Sequence, residues 1–458
     1  MKKILLVLTL LFSLVVSAQD FWTEATPFGR GSYYAKNISI ADESTVWVTG
    51  TDDPGFGSWS VPRWGRSTDG GLTWTSGFLP DDVVYPARSS QFVVGICAIS
   101  DQTAYVGISP YTSNSSNKIL VTHDAGDTWT QIHPELFSDA YSHLNGIHFF
   151  DNNHGIVYGD LVDNYFEIYT TADAAATWTR TPPTNIPPPL ADEFPWTNHF
   201  DATAGILRFM TNKYRLFSSY DQGLTWTVSQ TPDNSFYDYG DFHTPYFSFK
   251  DANEGLLVTA GQYNDSTLYR TTDGGITWIP FSTTGRLSDY TMRYVPQTAG
   301  TYYNTGEFND EVWNSWGSGY STDDGNSWTA MTENQNFKPM ATKFLSPTIG
   351  YAVGYEYGSS NGHGFYRLTD TFNRLLKNKS LLETSFNAAP NPTKDTFRIS
   401  GSAITSIAVH DVTGKAIYHQ SFAATDQAEV DLSAFRTGIY FAKVSNDNGS
   451  KTIKIIKD

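Results

Sequence analysis

The sequence predicts an all-β chain, a seven-bladed β-propeller followed by a small β-sandwich, and three observations predict it. The first is an eight-residue box that recurs six times. Its copies are Ser67-Thr-Asp69-Gly-Gly71-Leu-Thr73-Trp74, Thr122-His-Asp124-Ala-Gly126-Asp-Thr128-Trp129, Thr171-Ala-Asp173-Ala-Ala-Ala-Thr177-Trp178, Ser219-Tyr-Asp221-Gln-Gly223-Leu-Thr225-Trp226, Thr271-Thr-Asp273-Gly-Gly275-Ile-Thr277-Trp278 and Ser321-Thr-Asp323-Asp-Gly325-Asn-Ser327-Trp328. Their Asp-to-Asp steps are 55, 49, 48, 52 and 50 residues. A fixed period of that size, with a turn and an aromatic in each unit, builds a propeller. The second is a parallel series of turns at Asp42, Asp101, Asp151, Asp201 and Asp251, continued without the acid at Pro296 and Ser346. It counts seven units rather than six. The third is residues 385–458, which lack the box and show short β-type runs separated by turn formers.

The elements follow in order. Lys2-Lys3, the apolar run Ile4 to Val16 and Val16-Ser17-Ala18 read as a secretory leader over residues 1–18. No later segment is long and apolar enough to span a bilayer as a helix. The propeller then occupies 19–370. A seventh box remnant falls at Phe365-Tyr366-Arg367-Leu-Thr369-Asp370, where the Gly and Trp are missing. Phe21-Trp22-Thr23-Glu24-Ala25-Thr26-Pro27 looks like Thr128-Trp-Thr-Gln-Ile-His-Pro134, so residues 20–27 are expected to supply the missing outer strand and close the ring. Within each box, Gly at the fifth position supplies positive φ, Asp and Ser/Thr satisfy turn amides, and Trp packs between blades. The single cysteine, Cys97, sits in the apolar run Phe92–Ile99 and reads as a buried strand residue. Residues 371–384 read as a linker. In 385–458 the expected strands are Thr396–Ile399, Ile404–His410, Ala416–Ser421, Ala428–Leu432, Gly438–Val444 and Lys451–Ile456.

Two resemblances attach to these residues. Ala389-Pro390-Asn391-Pro392, Asp411-Val412-Thr413-Gly414-Lys415, Leu432-Ser-Ala-Phe-Arg-Thr-Gly438-Ile439-Tyr440-Phe441 and Lys451-Thr-Ile-Lys-Ile-Ile-Lys457 closely resemble the C-terminal sorting domain of the Bacteroidetes type IX secretion system. The resemblance implies passage across the outer membrane, then removal of the domain with release or surface attachment. The boxes resemble the Asp-boxes (BNR repeats) of sialidases, sortilin-type receptors and photosystem-assembly-factor-like propellers, where they are structural. On that ground none of the six box Asp residues is a candidate site residue. Gly159-Asp160-Leu…Thr-Ala-Asp173 is similar to the last family's Gly-Asp-Pro…Thr-x-Asp-Gly-Gly pattern, with Leu161 in place of Pro and Ala174-Ala175 in place of the glycines.

Charge is uneven along the chain. The net −17 becomes −19 once Lys2 and Lys3 leave with the leader. Residues 385–458 carry eight basic and seven acidic side chains and the linker carries +2, which leaves −22 on 19–370. Such a field disfavours nucleic acid and anionic membranes as partners.

The ligand face of a propeller is formed by loops opposite the boxes. Here those loops hold Trp59, Trp64, Arg88, Tyr141, His143, Trp196, Tyr239, Trp313 and Trp316, whose rings and polar neighbours suit sugars. They are the candidate ligand-binding residues. A sialidase needs an arginine cluster and an Arg-Ile-Pro segment; no Arg-Ile-Pro occurs. A different glycosidase would need two opposed carboxylates. Asp160 and Glu307, each directly after a second strand, are the candidate catalytic pair. His143 and His148 lack metal-ligand spacing, and no metal or cofactor is expected; calcium at Thr51-Asp52-Asp53 would bind without EF-hand spacing. The reading is therefore an exported surface or secreted propeller that binds an extracellular glycan or protein, with glycoside hydrolysis as the alternative.

Overall fold

The computed structural model describes residues 21–28, 33–52, 62–80, 91–110, 116–139, 142–232, 245–259, 266–285, 287–288, 291–307, 316–331, 337–356, 364–369, 386–412, 415–446 and 449–458. The chain divides into two compact units, one ending at Thr371 and one beginning at Phe372. The first unit is a ring of seven antiparallel sheets. Blade 1 runs through Tyr33–Ile40, Val46–Asp52, Pro62–Ser67 and Thr75–Phe78; blade 2 from Gln91–Ala98 to Thr130–Ile132; blade 3 from Leu144–Phe149 to Thr179–Arg180. Blade 4 runs from Pro195–Asp201 to Thr227–Gln230, blade 5 from Tyr246–Phe249 to Ile279–Phe281, and blade 6 from Thr291–Tyr294 to Ser327–Ala330. Blade 7 is built from Phe337–Ser346, Ile349–Glu356 and Phe365–Leu368, and its fourth strand is Trp22–Ala25 from the other end of the unit. That strand pairs antiparallel with Phe365–Leu368, Trp22 opposite Leu368 and Ala25 opposite Phe365. The first strands of successive blades touch in an unbroken circle, blade 7 against blade 1, so the ring is closed about an axis.

The boxes are self-contained turns. In the first, Ser67 Oγ donates to Asp69 Oδ1 and accepts from Gly71 N–H, while Asp69 accepts from Thr73 N–H at 2.8 Å and Thr73 Oγ1–H at 2.6 Å. The copy at Asp173 keeps these bonds although both its glycines are alanines, at φ 57° and 64°. Five of the turns also dock on the first hairpin of their own blade, as Gly70 N–H does on the Ser44 carbonyl. The bonds within the box span at most four residues, which is why the pattern survives as a local signature.

What the box exports is its Trp. Trp129 packs with Trp47 and Trp64 of blade 1, Trp226 with Ile156 and Phe166 of blade 3, and Trp328 with Leu256 and Leu268 of blade 5. Each hydrophobic cluster of the ring is thus an interface between two blades, and each buried Trp contributes roughly 2–3 kcal/mol there. Between blades 6 and 7, where the box has no Trp, Trp22 occupies the place. Its indole donates to Tyr303 OH at 2.9 Å, meets that ring edge-on at 5.6 Å, and packs on Phe344.

Blade 6 has an extra strand, Thr284–Gly285, parallel to Ser327–Ala330. Gly285 has φ 82°, and a Cβ there would fall 2.0 Å from the Trp328 carbonyl, so only glycine fits. The innermost strands of blades 1, 2, 3, 4 and 7 all carry a register shift, for example between Ala35 and Asn37, Leu144 and Gly146, and Pro195 and Phe200. Such bulges redirect side chains, here around the ring axis.

The second unit has its own core: Phe386, Phe397, Ile399, Ile404, Val409, Val430, Leu432, Ala442, Val444 and Ile455, all buried. The four strands expected over 396–432 are two. Thr396–Asp411 and Ala416–Asp431 each run continuously, and register shifts around 400–406 bend the pair. The bend lets the first half of Thr396–Asp411 pair with Asn387–Ala389 and the second half with Gly438–Asn446, so one hairpin serves both halves of the sandwich. The expected breaks after Ile399 and Ser421 are absent, because irregularities in register absorb the intervening residues without ending the strands.

Candidate functional site

The second strand of blade 3, Gly155–Val162, delivers Asp160 to the face opposite the boxes. Asp160 N–H donates to the His143 carbonyl at 3.0 Å, fixing the strand end against the start of blade 3. The side chain accepts from Asn145 Nδ2 at 2.5 Å, and Asn145 Oδ1 accepts from Thr197 Oγ1 of blade 4 at 2.9 Å. Asn145 is the residue released by the Leu144/Gly146 bulge, and Thr197 lies in the Pro195/Phe200 irregularity. Two bulges on neighbouring blades therefore assemble the cluster. Burial raises the Asp160 carboxyl to about 6, although the Asn145 bond and the nearby His143 pull the other way. A carboxyl in that range holds a proton at mildly acidic pH and exchanges it near neutrality.

His143 is half-buried beside Asp160, with its Nδ1 3.4 Å from Ser109 Oγ. Ser109 in turn donates to Asn117 Oδ1, which also accepts from Leu144 N–H, while Asn117 Nδ2 binds the Phe137 and Ser142 carbonyls. These bonds join blade 2 to the same rim.

The axis itself is crossed. Asn198 of blade 4, at φ 54°, donates Nδ2–H to Asn37 Oδ1 of blade 1 at 2.8 Å, and Asn37 is held by Thr49 Oγ1 at 3.0 Å. Two residues 161 positions apart thus bridge opposite sides of the ring.

The other candidates divide into three groups. Trp64 is not on the ligand face: it is 4 % exposed, packed at a tilt between Trp47 and Trp129, and so close to the box of blade 2 that a Cβ on Gly126 would lie 2.4 Å from it. Its alternation along Pro62–Ser67 points it into the blade 1–2 core, a parity that loop assignment by sequence could not fix. Trp196 is half-buried, stacked on His199 at 5.4 Å and packed on the blade 4–5 core. Glu307 ends the second strand of blade 6, paired with Trp316 in the backbone ladder; their side chains lie outside the description, so the separation of Asp160 and Glu307 is not given by it. Trp59, Arg88, Tyr141, Tyr239 and Trp313 lie outside the described residues, as does Asp53 of the acidic stretch Thr51-Asp52-Asp53. Among the described residues no group of three His, Cys, Asp or Glu is placed to hold a metal ion. Cys97 is buried, its Sγ accepting Phe149 N–H at 3.2 Å, and burial raises its thiol.

Asn37, Asn145, Thr197 and Asn198 were not found from sequence. The only signal for them is that each precedes its blade's first turn by a few residues in a stretch that breaks strict alternation.

Comparison with known proteins fits this architecture. Residues 387–458 match the secretion system C-terminal sorting domain, which directs the chain through the type IX system to the cell surface or extracellular space. A search of curated proteins finds no match. Among solved structures, YCF48 bound to D1 peptide is similar at 15 % identity and TM-score 0.52, covering 77 % of this chain and 98 % of its own. YCF48 from Cyanidioschyzon merolae is similar at 12 % identity and TM-score 0.48 over 76 % and 98 %. The Hadza microbial sialidase Hz136 is similar at 13 % and 0.41 over 75 % and 66 %. At 15 % identity the first likeness is one of fold. No helix among the described residues is long and apolar enough to cross a membrane.

Proposed function

We propose that the exported propeller binds an extracellular glycan or protein on the face around Asp160, without catalysis. The observation that carries this reading is the built polar floor: Asp160, Asn145 and Thr197 are linked by side-chain hydrogen bonds across blades 3 and 4, beside an axis crossed by Asn37 and Asn198. Hydrogen-bonded amide and hydroxyl groups held by bulges suit recognition of hydroxyls or peptide groups. The described arginines support it too. Arg66, Arg208 and Arg270 donate to carbonyls of the next blade, and Arg215 pairs with Glu193 beside its own blade, so these four are engaged in contacts within the ring. The test is a glycan array and a surface-protein pull-down with the mature protein. Binding to one class, weakened by Trp59→Ala or Trp313→Ala, supports the reading; binding unaffected by any substitution on this face sinks it.

The Asp160 carboxyl near 6 favours one alternative, glycoside hydrolysis with Asp160 as proton donor and Glu307 as partner. Release of reducing ends from a plant, algal and host glycan panel, lost in Asp160→Asn and Glu307→Gln, would establish it in place of the binding reading.

A further inference from the structure

Below the Asn37–Asn198 bridge the axis opens into a cavity of about 260 Å³, lined by the innermost strands of six blades. Its chemistry runs against the rest of the ring. At one level of the axis, the innermost strands are tied blade to blade by a side chain that accepts the next strand's amide: Ser39 Oγ from Ala98 N–H at 2.8 Å, Cys97 Sγ from Phe149 at 3.2 Å, Asp201 Oδ2 from Phe249 at 3.2 Å, and Ser248 Oγ from Tyr294 at 2.9 Å. Blades 3, 6 and 7 instead place His148, Arg293 and Lys343 in this layer, and all three line the cavity. The sequence carries the equivalence. His148, Arg293 and Lys343 each stand seven residues before a glycine at or just before the start of the second strand, Gly155, Gly300 and Gly350, as Ser248 does before Gly255. Lys36, set free by the Ala35/Asn37 bulge of blade 1, adds another cation.

Arg293 lies close enough to Lys343 to repel it, and Lys36 lines the same cavity. Burial, and then the neighbouring Arg293, push the Lys343 ammonium below its ordinary range; burial, and then Lys343, push His148 down to about 3, so it is neutral. Lys36 and Arg293 are lowered by burial as well. The carboxylate nearest Arg293 and Lys343 in electrostatic effect, Asp201, already accepts the Phe249 amide. Ion pairs among the described residues, such as Arg215–Glu193 at 2.9 Å and Lys250–Asp324 at 3.2 Å, do not include Lys36, Arg293 or Lys343. Lys36 and Lys343 nonetheless keep side-chain surface open to solvent, so the chamber is wet and an ion can enter by exchange. Three cations lining one solvent-connected cavity repel one another, and an anion seated among them would relieve that repulsion.

We propose that this chamber binds one small oxyanion, inorganic phosphate or sulfate or the carboxylate of a sugar-sized acid, between Lys343, Arg293 and Lys36. Guanidinium and ammonium groups converge on such a ligand from three blades, the Arg as a planar fork and the lysines as point charges. The volume limits it to a monosaccharide or less. The site is separate from the face around Asp160, and neither assignment depends on the other.

The test is calorimetric titration of the mature protein, in low-salt buffer, with sodium phosphate, sodium sulfate and sodium glucuronate, against sodium chloride at matched ionic strength. Saturable one-site binding of at least one oxyanion and none of chloride is expected. Affinity should fall about tenfold or more in Lys343→Met and in Arg293→Met, and stay unchanged in Lys213→Met. Phosphate or sulfate alone binding assigns an inorganic ion; glucuronate alone assigns a sugar acid. A second readout guards against misfolded variants: the wild-type thermal midpoint should rise in the bound oxyanion over chloride, and Lys36→Met should reduce the rise. No saturable binding of any of the three, or binding that survives Lys343→Met and Arg293→Met, overturns the proposal.

Discussion

At the scale of single residues, strain and burial make opposite predictions at neighbouring positions. Gly126 sits at φ 96°, with room for a Cβ taken by Trp64 at 2.4 Å. Gly126→Ala should cost about 2–4 kcal/mol, from the left-handed backbone and the displaced indole together. Ala174 is exposed at φ 57°, where Gly70 and Gly274 stand in two other boxes. Ala174→Gly should gain about 0.5–1 kcal/mol, and urea midpoints of the two variants should move in opposite directions. Asp160 gives a pH-dependent prediction. Its folded pKa of about 6 lies above the unfolded value of about 3.9, so its contribution is full below pH 4 and is lost as pH rises through 6. Asp160→Asn can still accept from Asn145. It should therefore raise stability by on the order of 1–3 kcal/mol at pH 8 and leave it nearly unchanged at pH 4, which urea unfolding at the two values measures.

At the scale of elements, the decisive one is Trp22–Ala25. Four residues bring the two ends of the ring unit together and carry the aromatic that the last box lacks. Trp22→Ala should cost about 3–5 kcal/mol, from the lost indole contacts with Tyr303 and Phe344 and the lost hydrogen bond to the Tyr303 hydroxyl. Deleting residues 20–27 should do something different in kind, because it leaves Phe365–Leu368 as an open strand edge. Light scattering on a sizing column should then show self-association that Trp22→Ala alone does not produce. The box turns, by contrast, were visible in the sequence because their hydrogen bonds reach no further than four residues. The bulges were not, since a bulge differs from a strand only in what its partner strand does.

At the scale of the whole molecule, the two units have separate hydrophobic cores, every buried member of the second lying between Phe386 and Ile455. Even its penultimate residue is tied in, Lys457 Nζ donating to the Leu432 and Phe435 carbonyls at 2.8 and 2.7 Å. Residues 385–458 should therefore fold alone, and the intact chain should show two calorimetric transitions, one of which the isolated segment reproduces. A single transition in the intact chain with an unfolded segment would contradict this. The charge division supports separate behaviour: acid is concentrated in the ring, and the tail is nearly neutral.

The sequence by itself determined the fold class, the number of blades and the sorting tail, because each is written in contacts that are local or repeated. A box is a turn closed on itself, and six copies leave a signal that one worn copy, Asp173 with its two alanines, does not erase. The tertiary structure alone decided which side chains meet at the axis. Asn37 finds Asn198 across 161 residues, bulges on blades 3 and 4 bring Asn145 and Thr197 to Asp160, and three blades deliver His148, Arg293 and Lys343 to one layer. Trp64 shows the limit in one residue: its composition suited the binding face, and strand parity put it in the core. The physical reason is common to all of these. Closing a ring converts equal positions in distant repeats into neighbours, and a one-residue bulge or a change of parity decides whether a side chain faces the axis, the next blade or solvent.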